Sequence, residues 1–162
     1  MQQETSDGSY LIREGNPSDA PKITEFNIMM ALETEGIHLD REKATRGVIT
    51  LFEKPEKGQY FVAIHKNGSE ETVVGACLVT YEWSDWRCTD YWWMQSVYVA
   101  KEHRRRGVFS HLFKYVEKKC IEAKSASFRL YVDKKNANAK NTYLKLGMQE
   151  SHYEMYEKNF YE

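Results

Sequence analysis

The stretch from Val97 to Phe109 constrains this chain most strongly, because it changes from a strand pattern to an arginine-rich turn and then to a helix. It reads Val-Tyr-Val-Ala-Lys-Glu-His-Arg-Arg-Arg-Gly-Val-Phe. The first N–H groups of a helix have no partner within the helix, and the helix dipole favours negative charge beside them. Arginines add charge-assisted hydrogen bonds. The sequence therefore predicts a phosphate-binding turn that opens an amphipathic helix.

Length and composition bound the class of protein. A chain of 162 residues with 41% hydrophobic and 29% charged residues is typical of one soluble globular domain. Its net charge of −1 argues against a general nucleic-acid binder, and no apolar run approaches membrane-spanning length. The polar residues 1–9 lack the apolar core of a signal peptide. We expect a flexible lead over 1–9 and one domain over 10–162.

The cysteines and histidines indicate neither disulfides nor a metal. The three cysteines are widely spaced and odd in number, which favours free thiols and a cytoplasmic location: Cys77, Cys88 and Cys120. The five histidines show no metal-ligand spacing and are interpreted as surface residues: His38, His65, His103, His111 and His152. We therefore predict that the protein binds no metal.

Hydrophobic periodicity predicts the order of the elements. Strands are expected over 10–14, 60–64, 72–82, 91–99 and 128–132, with helices over 20–33, from Asp40, over 106–123 and over 138–146. Gly36 is expected to end the first helix, and the Asn67-Gly68 pair to join a hairpin. Residues 148–160 have strand-like pieces. The order β-α-α-β-β-β-α-β-α-β(-β) predicts an α/β (α+β) fold whose mixed, mostly antiparallel central sheet is flanked by helices.

A second motif lies at residues 136–148, which read Asn-Ala-Asn-Ala-Lys-Asn-Thr-Tyr-Leu-Lys-Leu-Gly-Met. With the arginine turn it resembles the GNAT superfamily of acetyl-CoA-dependent N-acetyltransferases, over about residues 10–160. The family's Gln/Arg-x-x-Gly-x-Gly/Ala motif is similar to 104–109, although Phe109 stands where Gly or Ala is usual. We expect that side chain to point away from the ligand, toward the core. The family's Asn-x-x-Ala-x-x-x-Tyr motif matches Asn136, Ala139 and Tyr143.

The resemblance implies acetyl-CoA as co-substrate and assigns its contacts. The diphosphate would lie on backbone N–H groups of the turn, with Arg104 or Arg106 assisting. The preceding strand would pair with the pantetheine amides, and the N–H of Val97 would polarise the thioester carbonyl. Asn136 would bind the pantetheine arm, and Tyr143 would protonate the departing sulfur. The expected contacts are Val97, Tyr98, Val99, Arg104, Arg105, Arg106, Gly107, Val108, Phe109, Ser110, Asn136, Ala139 and Tyr143.

The general base and the acceptor pocket are less defined. Many relatives carry Glu where this chain has Gln95, which cannot accept a proton as a base. The alternatives are Glu33, Glu35, Glu82 or a chain of water molecules, with Glu35 preferred among the carboxylates. For the acceptor we expect a primary amine, with a small molecule favoured over the N-terminus or a lysine of a protein. Its predicted contacts are Glu33, Trp83, Trp93 and Gln95, because tryptophan faces attract a protonated amine.

Two other classes of function stay open at this point. Gln95 and Phe109 depart from the family pattern, which leaves room for a non-catalytic acyl-CoA-binding or regulatory module on the same fold. The arginines 104–106 are also compatible with nucleic-acid binding, which the net charge of −1 disfavours. The favoured prediction is an N-acetyltransferase without nucleic-acid or membrane partners. Proteins of this family often dimerise, so a homodimer is compatible with the resemblance.

Overall fold

Six strands form one sheet in the order β1-β2-β3-β4-β5-β6. The computed structural model describes residues 1–161, which fall into two compact units, 1–131 and 132–161. The strands are β1 Gln2–Glu4, β2 Tyr10–Glu14, β3 Gln59–Asn67, β4 Glu70–Ser84, β5 Thr89–Val99 and β6 Ser127–Leu130. The helices are α1 Ala20–Glu35, α2 Arg41–Glu53, α3 Val108–Glu122 and, in the second unit, α4 Ala137–Lys145. Neighbouring strands are antiparallel except β5 and β6, so the predicted mixed, mostly antiparallel sheet is confirmed.

Local sequence signals explain where the elements begin and end. The carboxylate of Asp40 accepts a hydrogen bond from the backbone N–H of Lys43 at 2.8 Å and so caps α2. Gly36 ends α1 in the left-handed conformation, with φ of 66°. Gly68, with φ of 61°, turns the chain between β3 and β4. These three predictions are confirmed.

Both ends of the chain differ from the prediction. Residues 2–4 form β1 and pair with β2, with Gln2 opposite Arg13, where polarity predicted a flexible lead. Backbone hydrogen bonds hold this strand, and they need no apolar side chains. Conversely, residues 148–160 form no strand, although strand-like pieces were predicted there. The second unit contains no strand among its described residues with which this segment could pair. The assignment of residues 10–162 to a single domain stays a prediction.

The sheet of the first unit is covered on both faces. On one face, α1 and α2 contribute Phe26 and Val48 to a buried cluster that includes Val62 and Tyr98. On the other face α3 packs through its aromatic residues. Its Tyr115 ring lies 5.9 Å from the ring of Phe61, centroid to centroid. None of the helices within residues 1–161 combines the length and the apolar character of a membrane span.

Candidate active site

A β-bulge in β5 decides which side chains share a face of the sheet. Leu78 of β4 lies opposite Gln95, and Ala76 lies opposite Tyr98, so two residues of β5 stand against one of β4. Within the bulge, Ser96 has φ of 50°. The extra residue reverses the side-chain alternation beyond it. Tyr98 therefore lies on the same face as Gln95, toward α1, although their numbers differ by three.

Beyond the bulge, one edge of β5 is open. β6 pairs with β5 only from Tyr91 to Met94. The N–H of Ala100 donates to the carbonyl of Val74 in β4, at 2.7 Å. Since backbone groups alternate along a strand, the N–H and C=O groups of Val97 and Val99 point away from β4. At these two residues, no described strand pairs with β5 on that side. An open strand edge of this kind can bind an extended ligand by main-chain hydrogen bonds.

The turn that follows β5 directs backbone N–H groups outward. Arg105 and Gly107 both have left-handed backbones, with φ of 63° and 79°. Gly107 is the N-cap of α3 and has no side chain to bond the first-turn N–H groups, which belong to Val108, Phe109 and Ser110. Such a left-handed turn before a helix N-terminus forms a concave anion site. The arginine turn thus has the backbone that phosphate binding requires.

Phe109 lies against the core side of this turn. Its ring centroid is 6.1 Å from that of Phe113, a buried residue one helical turn later in α3. This is the direction expected for a bulky residue at a position where relatives have Gly or Ala. The aromatic ring of Phe109 therefore packs along α3, against a residue of the core.

The guanidinium of Arg104 is directed toward α1. Its Nη2 donates to Glu33 at 2.8 Å, and its Nε donates to the carbonyl of Val99 at 2.8 Å. The hydroxyl of Tyr98 also donates to Glu33, at 2.9 Å, and Lys101 Nζ lies 3.4 Å from the same carboxylate. The hydrogen bond from Arg104 is the main cause of a lowered pKa at Glu33. Glu33 is therefore held as an anion, which makes it a weak proton acceptor.

The other acceptor candidates fall on two faces. Trp93 lies opposite Thr80 on the face of the sheet toward α1 and stacks on Tyr131, with ring centroids 4.5 Å apart. Gln95, on that face, donates its side-chain N–H to the hydroxyl of Thr80 at 2.7 Å. Trp83 is three residues further along β4 than Thr80, so it lies on the opposite face, 60% exposed. The structure groups Trp93 with Gln95 and separates both from Trp83.

The remaining carboxylate candidates differ in their partners. Glu82 forms an ion pair with Arg129, Oε2 to Nη1, at 3.1 Å. The guanidinium of Arg129 in turn lies 3.6 Å from the ring centroid of Tyr91. Glu35 lies in the last turn of α1 and is exposed, and no ion pair within residues 1–161 includes it. Sequence reasoning gave no sign of the pair between Glu82 and Arg129, because the residues are distant in the chain.

In the second unit, the Asn-x-x-Ala-x-x-x-Tyr motif forms α4. The side-chain oxygen of Asn136 accepts a hydrogen bond from the N–H of Ala139 at 3.0 Å and caps the helix. Tyr143, one turn further along, is half-buried, and this burial raises the pKa of its phenol. Gly147, with φ of 89°, follows the helix as predicted. Tyr143 is therefore a protonated phenol at neutral pH.

His103 anchors the beginning of the arginine turn to the sheet, where the sequence predicted a surface residue. Its Nδ1 is 3.0 Å from the hydroxyl of Tyr10, and its ring centroid is 4.7 Å from that of His65. Burial, followed by electrostatic interactions with His65 and Arg106, lowers the pKa of His103, while Glu102 opposes the shift. The sequence had no signal for this contact, since Tyr10, His65 and His103 lie on three separate segments.

The lowered pKa of His103 predicts a loss of stability in mild acid. Because the folded state disfavours protonated His103, the unfolded state binds more protons as the pH falls below about 6.5, the ordinary pKa of histidine. The melting temperature should fall from pH 7.5 to pH 5, and a His103→Asn variant should show a shallower fall. His38→Asn, which changes an exposed histidine, is the control. Equal pH profiles for wild type and His103→Asn would contradict this assignment.

Comparisons with known proteins match this chain to one family and one fold. Residues 25–148 match the family model described as the acetyltransferase (GNAT) family. A solved structure described as a possible acetyltransferase from Clostridium difficile 630 is 42% identical, with TM-score 0.86, and the match covers 95% of this chain and 99% of that one. Among curated proteins, no sequence matches significantly.

Two more distant structures share the fold. Glucosamine-6-phosphate N-acetyltransferase from Arabidopsis thaliana is 17% identical with TM-score 0.69, covering 94% of this chain and 99% of that one. An aminoglycoside acetyltransferase from an uncultured soil metagenomic sample, in complex with sisomicin, is 17% identical with TM-score 0.73, covering 96% and 99%. At this identity the likeness concerns the fold.

Proposed function

Since this chain belongs to the GNAT family of acetyltransferases and is an acyltransferase, we propose that it transfers an acetyl group from acetyl-CoA to the primary amine of a small molecule. The reaction is direct attack in a ternary complex. One observation carries the proposal: the left-handed turn at Arg105 and Gly107 leads into a helix N-terminus without a side-chain cap. That backbone suits the CoA diphosphate, an anion.

The residues of the first unit fit acetyl-CoA, which supplies the acetyl group as a reactive thioester. The turn from Arg105 to Ser110 offers N–H groups to the diphosphate, and Arg106 adds positive charge. The open edge of β5 offers the backbone of Val97 and the N–H of Val99 to the pantetheine arm, while the carbonyl of Val99 accepts from Arg104. The N–H of Val97 is the proposed donor to the carbonyl oxygen of the thioester, where negative charge develops.

Roles for the second unit come from the family motif. The match to the family model continues through residue 148 and so includes this motif. Asn136 caps α4 through its side-chain oxygen, which leaves its NH2 group as a donor for the pantetheine arm. Ala139, the alanine of the same motif, is a further proposed contact of acetyl-CoA. Tyr143 is the proposed acid that protonates the departing sulfur, and its raised pKa keeps that proton in place at neutral pH.

The acceptor amine must lose a proton, so the reaction needs a general base. Two of the three candidate carboxylates are held in ion pairs. Glu33 is paired with Arg104 and Lys101, and Glu82 with Arg129. Glu35, outside the ion pairs of residues 1–161, is the proposed general base. Gln95 and Trp93, on the face of the sheet toward α1, are the proposed acceptor contacts. Two proteins with the same fold are named for acetylating small amines, which supports this acceptor class.

A single glycine tests the proposed phosphate turn. A Gly107→Ala substitution places a side chain at φ of 79°, which costs about 1–2 kcal/mol in the left-handed region. Because this strain distorts the N–H groups of the turn, the Kd for acetyl-CoA, measured by calorimetry, should rise about tenfold, the equivalent of about 1.4 kcal/mol.

The matched control is Gly68→Ala in the hairpin between β3 and β4. Gly68 also has a left-handed backbone, with φ of 61°, and its substitution should lower stability to a similar extent. It should leave the Kd for acetyl-CoA unchanged, because the hairpin offers no group to the ligand. An unchanged Kd in Gly107→Ala, or an equal rise in both variants, would contradict the assignment of the turn.

A further inference from the structure

Arg104, the first residue of the arginine turn, forms its side-chain hydrogen bonds on the side facing α1. Its Nη2 is 2.8 Å from Glu33 Oε2, and its Nε is 2.8 Å from the carbonyl oxygen of Val99. Its guanidinium carbon lies 5.2 Å from the ring centroid of Tyr98. We refer to Glu33, Tyr98 and Arg104 as the clasp. The clasp fixes the guanidinium plane by a charge-assisted hydrogen bond, a backbone hydrogen bond and an aromatic face.

The hydrogen bond from Arg104 to the Val99 carbonyl connects the clasp to the strand edge that takes part in the proposed reaction. The C=O of Val99 and the N–H of Ala100 belong to one peptide unit and point in opposite directions. The N–H of Ala100 bonds to Val74 in β4, so the Val99 carbonyl lies on the open edge of β5. Arg104 therefore bonds directly to the strand edge that the proposed function assigns to the pantetheine arm.

The rest of the clasp belongs to α1 and to the end of β5 that packs on it. Glu33 lies on α1, and the Tyr98 ring packs on Phe26 of the same helix, with centroids 5.1 Å apart. Tyr98 faces α1 because of the bulge at Ser96 and Val97. The clasp is thus the point where α1, the bulged end of β5 and the beginning of the phosphate turn are joined by side chains.

We propose that Arg104 is a positioning residue and not a ligand of the diphosphate: together with Glu33 it holds α1 against the open end of β5. This inference rests on the proposed function. The diphosphate is bound by the backbone N–H groups of the turn and by Arg106. The clasp sets the distance between α1, which carries the proposed general base Glu35, and the edge that orients the thioester. Losing either member of the pair misplaces the reacting groups without removing a phosphate contact.

The test separates binding of the nucleotide part of CoA from turnover. The probe is 3′-phosphoadenosine 5′-diphosphate, which carries the diphosphate and lacks the pantetheine arm. Arg104→Gln and Glu33→Gln should each leave the Kd of this probe within about twofold of wild type, because their positions touch no phosphate. Each should lower kcat with acetyl-CoA and a primary amine by about ten- to a hundredfold, the usual range for misplaced reacting groups.

Three further variants make the result specific. The Glu33→Gln/Arg104→Gln double variant should be no slower than the slower of the two single variants, since both substitutions break the same ion pair. Arg104→Lys should not restore kcat, because a single ammonium cannot bond Glu33 and Val99 in one plane. Lys101→Gln, the matched control, removes a cation 3.4 Å from the same carboxylate and leaves Arg104 in place. It should keep kcat near that of wild type.

The opposite pattern overturns the inference. If Arg104→Gln weakens the probe as much as Arg106→Gln does, Arg104 is a phosphate ligand. Glu33→Gln would then strengthen probe binding, because it releases the arginine and removes a negative charge. Additive losses of kcat in the double variant would also overturn it.

If wild type binds neither the probe nor acetyl-CoA, the proposed function itself fails, and this inference fails with it. Unchanged melting temperatures for the single variants, as expected for an exposed ion pair, exclude unfolding as the cause.

Discussion

Replacing Tyr143 with phenylalanine is expected to lower kcat by a factor of about 10² to 10⁴, the usual contribution of a positioned general acid. The substitution removes the phenol hydroxyl and keeps the ring. Burial raises the pKa of Tyr143, so the phenol keeps its proton at neutral pH and can give it to the departing sulfur. The Kd for acetyl-CoA should stay close to that of wild type, since the acid acts after binding.

Steady-state kinetics by thiol release, with calorimetry for the Kd, would measure both quantities. Tyr153→Phe is the matched control, because it removes a hydroxyl from a tyrosine that is 68% exposed in the same unit. It should behave as wild type. A Tyr143→Phe enzyme with full kcat would show that Tyr143 is not the acid. A raised Kd with unchanged kcat would assign its hydroxyl to binding only.

Phe113→Ala should produce the largest loss of stability, about 3–5 kcal/mol in the free energy of unfolding. Phe113 is 1% exposed, and its ring centroid lies 5.0 Å from Phe128 of β6 and 6.1 Å from Phe109. Its removal leaves a cavity between α3 and the sheet, beneath the beginning of the phosphate turn. Acetyl-CoA binding should therefore weaken along with stability.

Urea unfolding measures this loss as a lower midpoint at an unchanged m-value. The control on the same helix is Ile121→Ala, whose side chain is 73% exposed. It should change the free energy of unfolding by no more than about 0.5 kcal/mol. If Phe113→Ala costs as little as the control, the packing of α3 on β6 is not as described.

Local signals in the sequence were sufficient for most of the fold. Asp40, Gly36 and Gly68 act over three or four residues, and each marks an element boundary where it was expected. The direction of the Phe109 ring, toward Phe113, was expected from the family resemblance, because relatives have Gly or Ala at this position. Strand β1 was not predicted, because it forms by pairing with a separate segment, β2, and no local pattern in residues 2–4 indicates that pairing.

The candidate site shows the same division. The outward N–H groups of the turn were predicted from Gly107 and the start of a helix, which are local features. The bulge at Ser96 was not predicted, since neither glycine nor proline marks it. It places Tyr98 beside Glu33. Without the bulge, strand alternation would point Tyr98 away from α1, so the ion pair of Arg104 with Glu33 could not be foreseen.

Amine-dependent release of CoA thiol by the wild-type protein tests the central claim most directly. The protein would be incubated with acetyl-CoA and each member of a panel of small primary amines, with mass spectrometry of the amine as the second readout. The proposed function predicts thiol release that requires the amine and equals the acetylated product. Binding of acetyl-CoA without amine-dependent release across the panel would contradict it and favour a non-catalytic acyl-CoA-binding module. Absence of both binding and release would show that the arginine turn does not bind CoA.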